Sequence, residues 1–299
     1  MKTKILVTGG TGNNGKPTLE YLAKTETPVR AMLRDPAKAA VNASNITYVV
    51  GDYNDTKSVV KALDGIETAF LVTAFEPTFP AKHAAFIRAA EAAGVNHIVQ
   101  LSGIGADAGS SVIALKWLGE AEDYLTSSAL SWTILRPGLF NNNFFAYANS
   151  IAQYNMIEAP FGISPYAVLT LVDNRDVGAV AAEVLLNPVT HKGQVYTLTG
   201  SEQLNHAQIV GVFSKVLGRH VTYLPISEEV TKSGLLKYQV PEPIADSLVD
   251  LWVAIREGVL RPPLTKQVER LLNRKPITFE QFVRDEAYRF QPENSNVIE

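Results

Sequence analysis

The sequence predicts an α/β fold: a Rossmann-type doubly wound parallel sheet with a smaller, mainly helical C-terminal substrate domain. Three observations lead there. Short apolar runs alternate with segments of helical period, the pattern of a parallel sheet covered on both faces. The first run, Ile5-Leu-Val-Thr8, opens directly into Gly9-Gly-Thr-Gly-Asn-Asn-Gly15, with Pro17 where a first helical turn tolerates proline. Beyond Pro137 the texture changes to Asn141-Asn-Asn143, then aromatic residues as far as Tyr154, and later helical patterns.

Taken in order, strands are expected at residues 5–7, 29–33, 47–50, 69–72, 97–101 and 132–135. Helices are expected between them at 16–24, 36–43, 57–63, 80–93 and 113–127. The first helix carries Leu19, Leu22 and Ala23 on one face, as packing on a sheet requires. A return to the sheet is expected at 169–172, after which Asp173 or Asp176 caps a helix running to Leu186, and 195–199 forms a further strand. From Leu204 onward helices are expected at 206–217, 245–256 and 279–290, with a polar, frayed tail over 291–299. The division that follows is a dinucleotide-binding domain over 1–150, rejoined by 169–199, and a smaller domain over 151–168 and 200–299. The cleft between them is the expected substrate site.

Composition narrows the function. With 46% hydrophobic residues and a formal charge of −3 over 299 residues, the chain has no basic balance suited to nucleic acid. The first apolar run is broken by glycines too early for a signal-peptide core, and no later run approaches a membrane span, so a cytoplasmic location is expected. There is no cysteine, and the five histidines are scattered without metal-ligand spacing, so no metal site is expected. A Gly-x-Ser-x-Gly hydrolase turn is absent.

The glycine stretch has the order strand, glycine turn, helix that a pyrophosphate cradle needs. Glycines let the backbone approach the phosphates, whose charge meets the free amides at the helix start. Thr8, Gly9, Gly10, Thr11, Gly12, Asn13, Asn14 and Gly15 are the candidate contacts. The second strand ends in Met32-Leu33-Arg34-Asp35-Pro36, which puts Arg34 where an acidic residue would select NAD. An arginine there suits the 2′-phosphate of NADP(H) through paired charge-assisted hydrogen bonds. Asp35 reads as the cap of the next helix, because Pro36 fits a first helical position. Asp52 either accepts from the adenine amine or is a turn residue. Thr73, Ser102 and Pro137 are also expected at the cofactor.

The glycine turn, the run Val29-Arg-Ala-Met-Leu-Arg-Asp-Pro36, the segment Trp132-Thr-Ile-Leu-Arg-Pro-Gly-Leu-Phe140 with Asn143, and Val172-Asp-Asn-Arg-Asp-Val-Gly178 occur in an order that resembles the NmrA-like family. That family is an atypical branch of the short-chain dehydrogenases, and the resemblance extends to Leu264-Thr-Lys-Gln-Val268 and Pro276-Ile-Thr-Phe-Glu-Gln-Phe282. It implies a two-domain NADP-binding protein. Some members reduce quinones, dyes or phenylpropanoids; others sense the cofactor without turnover.

Short-chain dehydrogenases ordinarily carry Tyr-x-x-x-Lys on the helix after the fifth strand, the lysine tuning the phenol for proton exchange with substrate oxygen. Here the only such spacing is Tyr53-Asn-Asp-Thr-Lys57, after the third strand, at the adenine end. Reductases that the chain resembles place a His or Lys near Leu118, where this sequence is apolar. Lys116 is the nearest ionisable candidate for catalysis, although a solvated helix lysine reads the same way, and Ser102 is a second candidate. For the acceptor, Phe140, Asn141, Asn143 and Phe144, with Phe145, Tyr147 and Tyr154, offer an aromatic cleft with neutral polar groups, though single aromatics of this kind also read as core. The reading is an NADPH-dependent reductase of a quinone-like or conjugated small molecule. The alternative is a non-catalytic NADP(H) sensor acting through a protein partner, and the oligomeric state is open.

Overall fold

The computed structural model describes residues 4–163 and 167–292. Its first half alternates strand and helix: β1 (Ile5–Thr8), α1 (Gly15–Leu22), β2 (Val29–Leu33), β3 (Ile46–Val50), α2 (Thr56–Leu63), β4 (Thr68–Leu71), α3 (Phe79–Ala92), β5 (His97–Leu101), α4 (Ile113–Thr126) and β6 (Ser131–Pro137). The chain continues through β7 (Leu139–Phe140), a 3₁₀ segment Asn141–Tyr147, α5 (Ala148–Tyr154), β8 (Met156–Ala159), β9 (Val168–Val172), α6 (Asn174–Leu186), α7 (Pro188–His191) and β10 (Gln194–Leu198).

Seven of these strands form one sheet in the order β10-β6-β5-β4-β1-β2-β3, every neighbouring pair parallel. The sequence predicts this because β1 and β4 are apolar at successive positions and are buried on both faces. Alternate side chains feed two cores. Ile5, Val7, Phe70 and Val99 pack with Leu19 and Leu22 of α1 and Val177 and Val180 of α6. Leu6, Ala69, Leu71 and Ile98 pack on the other face with Val59 of α2, Phe86 of α3 and Leu125 of α4. Each such side chain, fully buried, contributes about 1.5–3 kcal/mol.

A third core belongs to the C-terminal part. It gathers Phe144 and Phe161, which precede β9, with Phe213, Phe279 and Phe290 from the later elements. These are β11 (Gln203–Asn205), α8 (His206–Leu217), β12 (Thr222–Pro225), α9 (Glu228–Lys237), α10 (Glu242–Arg256), α11 (Gln267–Leu272), α12 (Phe279–Asp285) and a 3₁₀ turn Ala287–Phe290. The chain from Leu204 is therefore mostly helical, with short strands that periodicity alone does not reveal.

Two expectations are corrected. Residues 168–172 do not rejoin the main sheet: β9 pairs with β7 and β11 in a separate three-stranded sheet. The edge of β6 is already taken by β10, from Gln194 opposite Thr133 to Leu198 opposite Pro137. Nor is 36–43 a helix. Asp35 does cap a turn, accepting from the Ala37 amide at 3.0 Å, but only the 3₁₀ segment Pro36–Lys38 forms. By contrast, Asp173 caps α6 as its sequence position implies, accepting from the Arg175 amide. Residues 293–299 of the expected frayed tail lie outside the described residues.

Candidate active site

The glycine turn joins β1 to α1 at the carboxyl edge of the central strands. Gly9 adopts φ +62°, a left-handed conformation suited to glycine, and its carbonyl accepts from the Gly12 amide at 2.9 Å. A Cβ on Gly15 would lie 2.2 Å from that same carbonyl oxygen, so only glycine fits. Gly12 is different. Its Cβ would meet nothing but the Gly9 oxygen, at 3.2 Å, because its other side is open. The N-terminus of α1 has no side-chain cap; within it Lys16 donates to the Gly12 carbonyl at 3.0 Å and Pro17 has no amide, so the exposed loop before the helix is the part open to an anion. Thr11, Gly12 and Asn13 are exposed on this loop, while Thr8 is buried beneath it with its hydroxyl directed to the Phe70 and Val72 carbonyls. Gly10 packs inward against Leu19 and Leu33. Asn14 accepts from Asn174 at 3.0 Å, which ties the loop to the start of α6. A pyrophosphate fits this open, uncapped edge.

Arg34 stands exposed at the end of β2. On the neighbouring loop, Glu76 is held below the usual carboxylate range by hydrogen bonds from Lys82 and Thr78, with a smaller contribution from the Arg34 charge. Asp52 serves a turn, its Oδ1 accepting from the Asn54 amide at 2.8 Å.

Next to the glycine loop lies a cavity of about 360 Å³ between the central strands and α10. Asn14, Thr73, Ser102, Pro137, Phe140 and Asn143 all line it, so these six expected residues do converge. Leu248, Leu251 and Ile255 of α10 cover them. Thr73 is steadied from behind by His83, whose Nε2 lies 3.1 Å from its hydroxyl. Burial lowers the His83 imidazole to about 3, so it is neutral, and Phe79 stacks on it at 4.1 Å.

The two catalytic candidates differ in placement. Lys116 lies on the solvent side of α4, 3.9 Å from Glu120, while Ala114, Leu115 and Leu118 of the same helix face the cavity. The helical period turns residue 116 away. Ser102 does reach the cavity, but its hydroxyl donates to the buried Glu122 at 2.5 Å. Arg136 pairs with both oxygens of Glu122, and these hydrogen bonds raise the guanidinium above its ordinary range. The Ser102 hydroxyl at the cavity is thus tied to a carboxylate that is itself paired with Arg136. Tyr53 is a decoy structurally as well: its hydroxyl donates to the Val72 carbonyl at 2.9 Å, its ring packs on Phe86, and burial raises its phenol.

Of the acceptor candidates, Asn141 is buried and donates to Asp173 at 3.5 Å, bracing the start of α6, so it does not line the cavity. Phe144 belongs to the third core. Phe145 packs on Phe282 and Phe290, and Tyr154 is exposed. Sequence reasoning missed Glu122, His83 and the α10 leucines. An acidic residue on the buried face of α4 was a signal for the first; the others carried none.

The sequence profile of the NmrA-like family matches residues 1–283. This chain belongs to the NmrA-like family. Among NmrA-like proteins it is 33% identical over 287 residues to the NAD(P)H azoreductase of Xenophilus azovorans, spanning 96% of this chain and 99% of that one. It is 32% identical over 260 residues to quinone oxidoreductase 2 of Escherichia coli (strain K12), spanning 86% and 89% of the two chains. The crystal structure of that NADPH-dependent quinone oxidoreductase complexed with NADPH aligns with a TM-score of 0.83 at 30% identity, over 95% of this chain and 99% of that one.

Proposed function

We propose that this protein uses NADPH to reduce a flat, conjugated, electron-poor small molecule of the quinone type. It is an NAD(P)H-dependent oxidoreductase of the NmrA-like family, with NADP(H) as its cofactor. One observation carries the finer statement. Among the described residues, the cavity beside the glycine loop is lined by no ionisable side chain.

The glycine-turn backbone would hold the pyrophosphate, Arg34 the 2′-phosphate, and Thr73, Ser102 and Pro137 the end that faces the cavity. When bound, the nicotinamide supplies a hydride. The chain's own residues do the rest. Phe75, Phe79, Leu115, Leu118 and Leu251 exclude water and favour a neutral, flat acceptor. Glu122 and Arg136 keep Ser102 from acting as an acid. A simple ketone needs a proton donor as charge builds on its oxygen. A quinone does not, because its ring spreads that charge and takes protons from solvent.

Steady-state turnover with NADPH tests this directly. A benzoquinone should be reduced readily, and cyclohexanone, which lacks conjugation, should not. Comparable reduction of both would sink the proposed acceptor class and imply an acid not among the lining residues.

A further inference from the structure

A second cavity of about 330 Å³ adjoins the first. The two share Leu139, Phe140, Asn143 and Leu248 as a common wall. The second is an aromatic box. Phe144, Tyr147, Phe161 and Trp252 line it, with Phe161 at 4.7 Å from Trp252, 6.0 Å from Tyr147 and 6.2 Å from Phe144, ring centre to ring centre. No charged side chain lines it among the described residues.

The cavity is partly open, so a ligand can reach its ring-lined walls. Dry cavities of about 150 Å³ already bind small apolar ligands, and this one is larger and walled by rings. Its lining holds no counter-charge for an ion and few polar groups for a sugar or phosphate. It shares four lining residues with the first cavity, while Asn14, Thr73 and Ser102 line the first alone.

We infer that the two cavities are two compartments of one acceptor site, and that the second takes an uncharged hydrocarbon substituent of an acceptor whose reducible ring occupies the first. This rests on the reductase reading. It adds a length and polarity preference that a single cavity would not give. Each methylene moved from water into such a box favours binding, so affinity should climb with tail length until the compartment is full.

The test uses two quinones with the same ring, one bearing no tail and one bearing a decyl tail, measured for turnover with NADPH and for binding by quenching of protein fluorescence. Two variants fill the box from different elements: Ala146→Trp, and Leu235→Trp on α9, a helix with no fully buried residue. Neither residue lines the first cavity. For the unmodified protein, the decyl quinone should have a kcat/KM and an affinity at least 10-fold higher than the tail-less one. Both variants should erase that advantage while leaving the tail-less quinone within about 2-fold. Equal constants for the two quinones in the unmodified protein, or equal losses for both in the variants, would overturn the inference. Tail-dependent binding without turnover of either quinone would uphold the compartment and refute the reductase reading.

Discussion

At the residue scale the account turns on which side of each small residue is open. Gly12 and Gly15 are both in the glycine turn, yet they predict opposite phenotypes. Gly12→Val should fold, because its only near neighbour is the Gly9 oxygen at 3.2 Å, and should abolish NADPH binding by filling the open side. Gly15→Ala should instead lower the melting temperature, because its Cβ would sit 2.2 Å from backbone. Circular dichroism and cofactor titration on the same samples separate the two. Arg34→Ala should cost roughly 10- to 100-fold in NADPH affinity, the range for hydrogen bonds to a charged group, with NADH little changed. Equal losses for both cofactors would mean that Arg34 supports the adenine or the fold. Lys116→Ala and Tyr53→Phe should each leave turnover within a few-fold, since one is solvated and the other is bonded to the Val72 carbonyl. A general acid, by contrast, would take roughly 10²–10⁴-fold with it. The glycine pattern and Arg34 were legible because they depend on local backbone and strand order. The role of Ser102 was not, because its hydroxyl answers to Glu122, twenty residues away in the chain and on another element.

At the element scale, buried histidines set the acid limit of stability. Burial lowers His83 on α3 to about 3 and His97 on β5 to about 4, whereas both titrate near 6.5 when unfolded. Between about 4 and 6.5 the unfolded chain therefore binds protons that the folded chain does not. Stability must fall as pH drops through that window, with each histidine adding one proton to the slope. Urea unfolding at a series of pH values checks this, and His83→Phe should reduce the proton uptake on unfolding by about one. A midpoint independent of pH there would contradict the burial of both rings. Turnover should behave otherwise, staying nearly flat above pH 6.5, because no ionisable described residue lines the cavity. The elements also mark where sequence reading stopped. The helix 206–217 was readable from the sequence, and the structure adds a capping box between Asn205 and Gln208 at its start. Strand β9 was recognisable as a strand, but not its partner: an apolar run says that a strand is buried, not which edge receives it.

At the scale of the whole molecule, the sheet holds the glycine turn at its carboxyl edge, and α10, anchored in the phenylalanine-rich third core, shares one cavity with that turn. The doubly wound half was legible because its signals are periodic and local. The cleft beside it was expected, with Thr73, Ser102 and Phe140 among its residues, but its walls from α4, β9, α10 and the segment at Leu260 and Pro262 were not, because only tertiary packing brings them together. The phenylalanines around residue 144 were readable as aromatic, but whether each lines a site or fills a core depends on neighbours more than sixty residues distant, such as Phe213 and Phe279. The central claim is that the cradle serves hydride transfer to a conjugated acceptor. The most direct test is the stoichiometry of NADPH consumed against quinone reduced, measured in one reaction with the purified protein. The account predicts catalytic turnover with one NADPH oxidised per quinone reduced, and tight NADPH binding with no acceptor reduced across quinones, enones and azo dyes would contradict it.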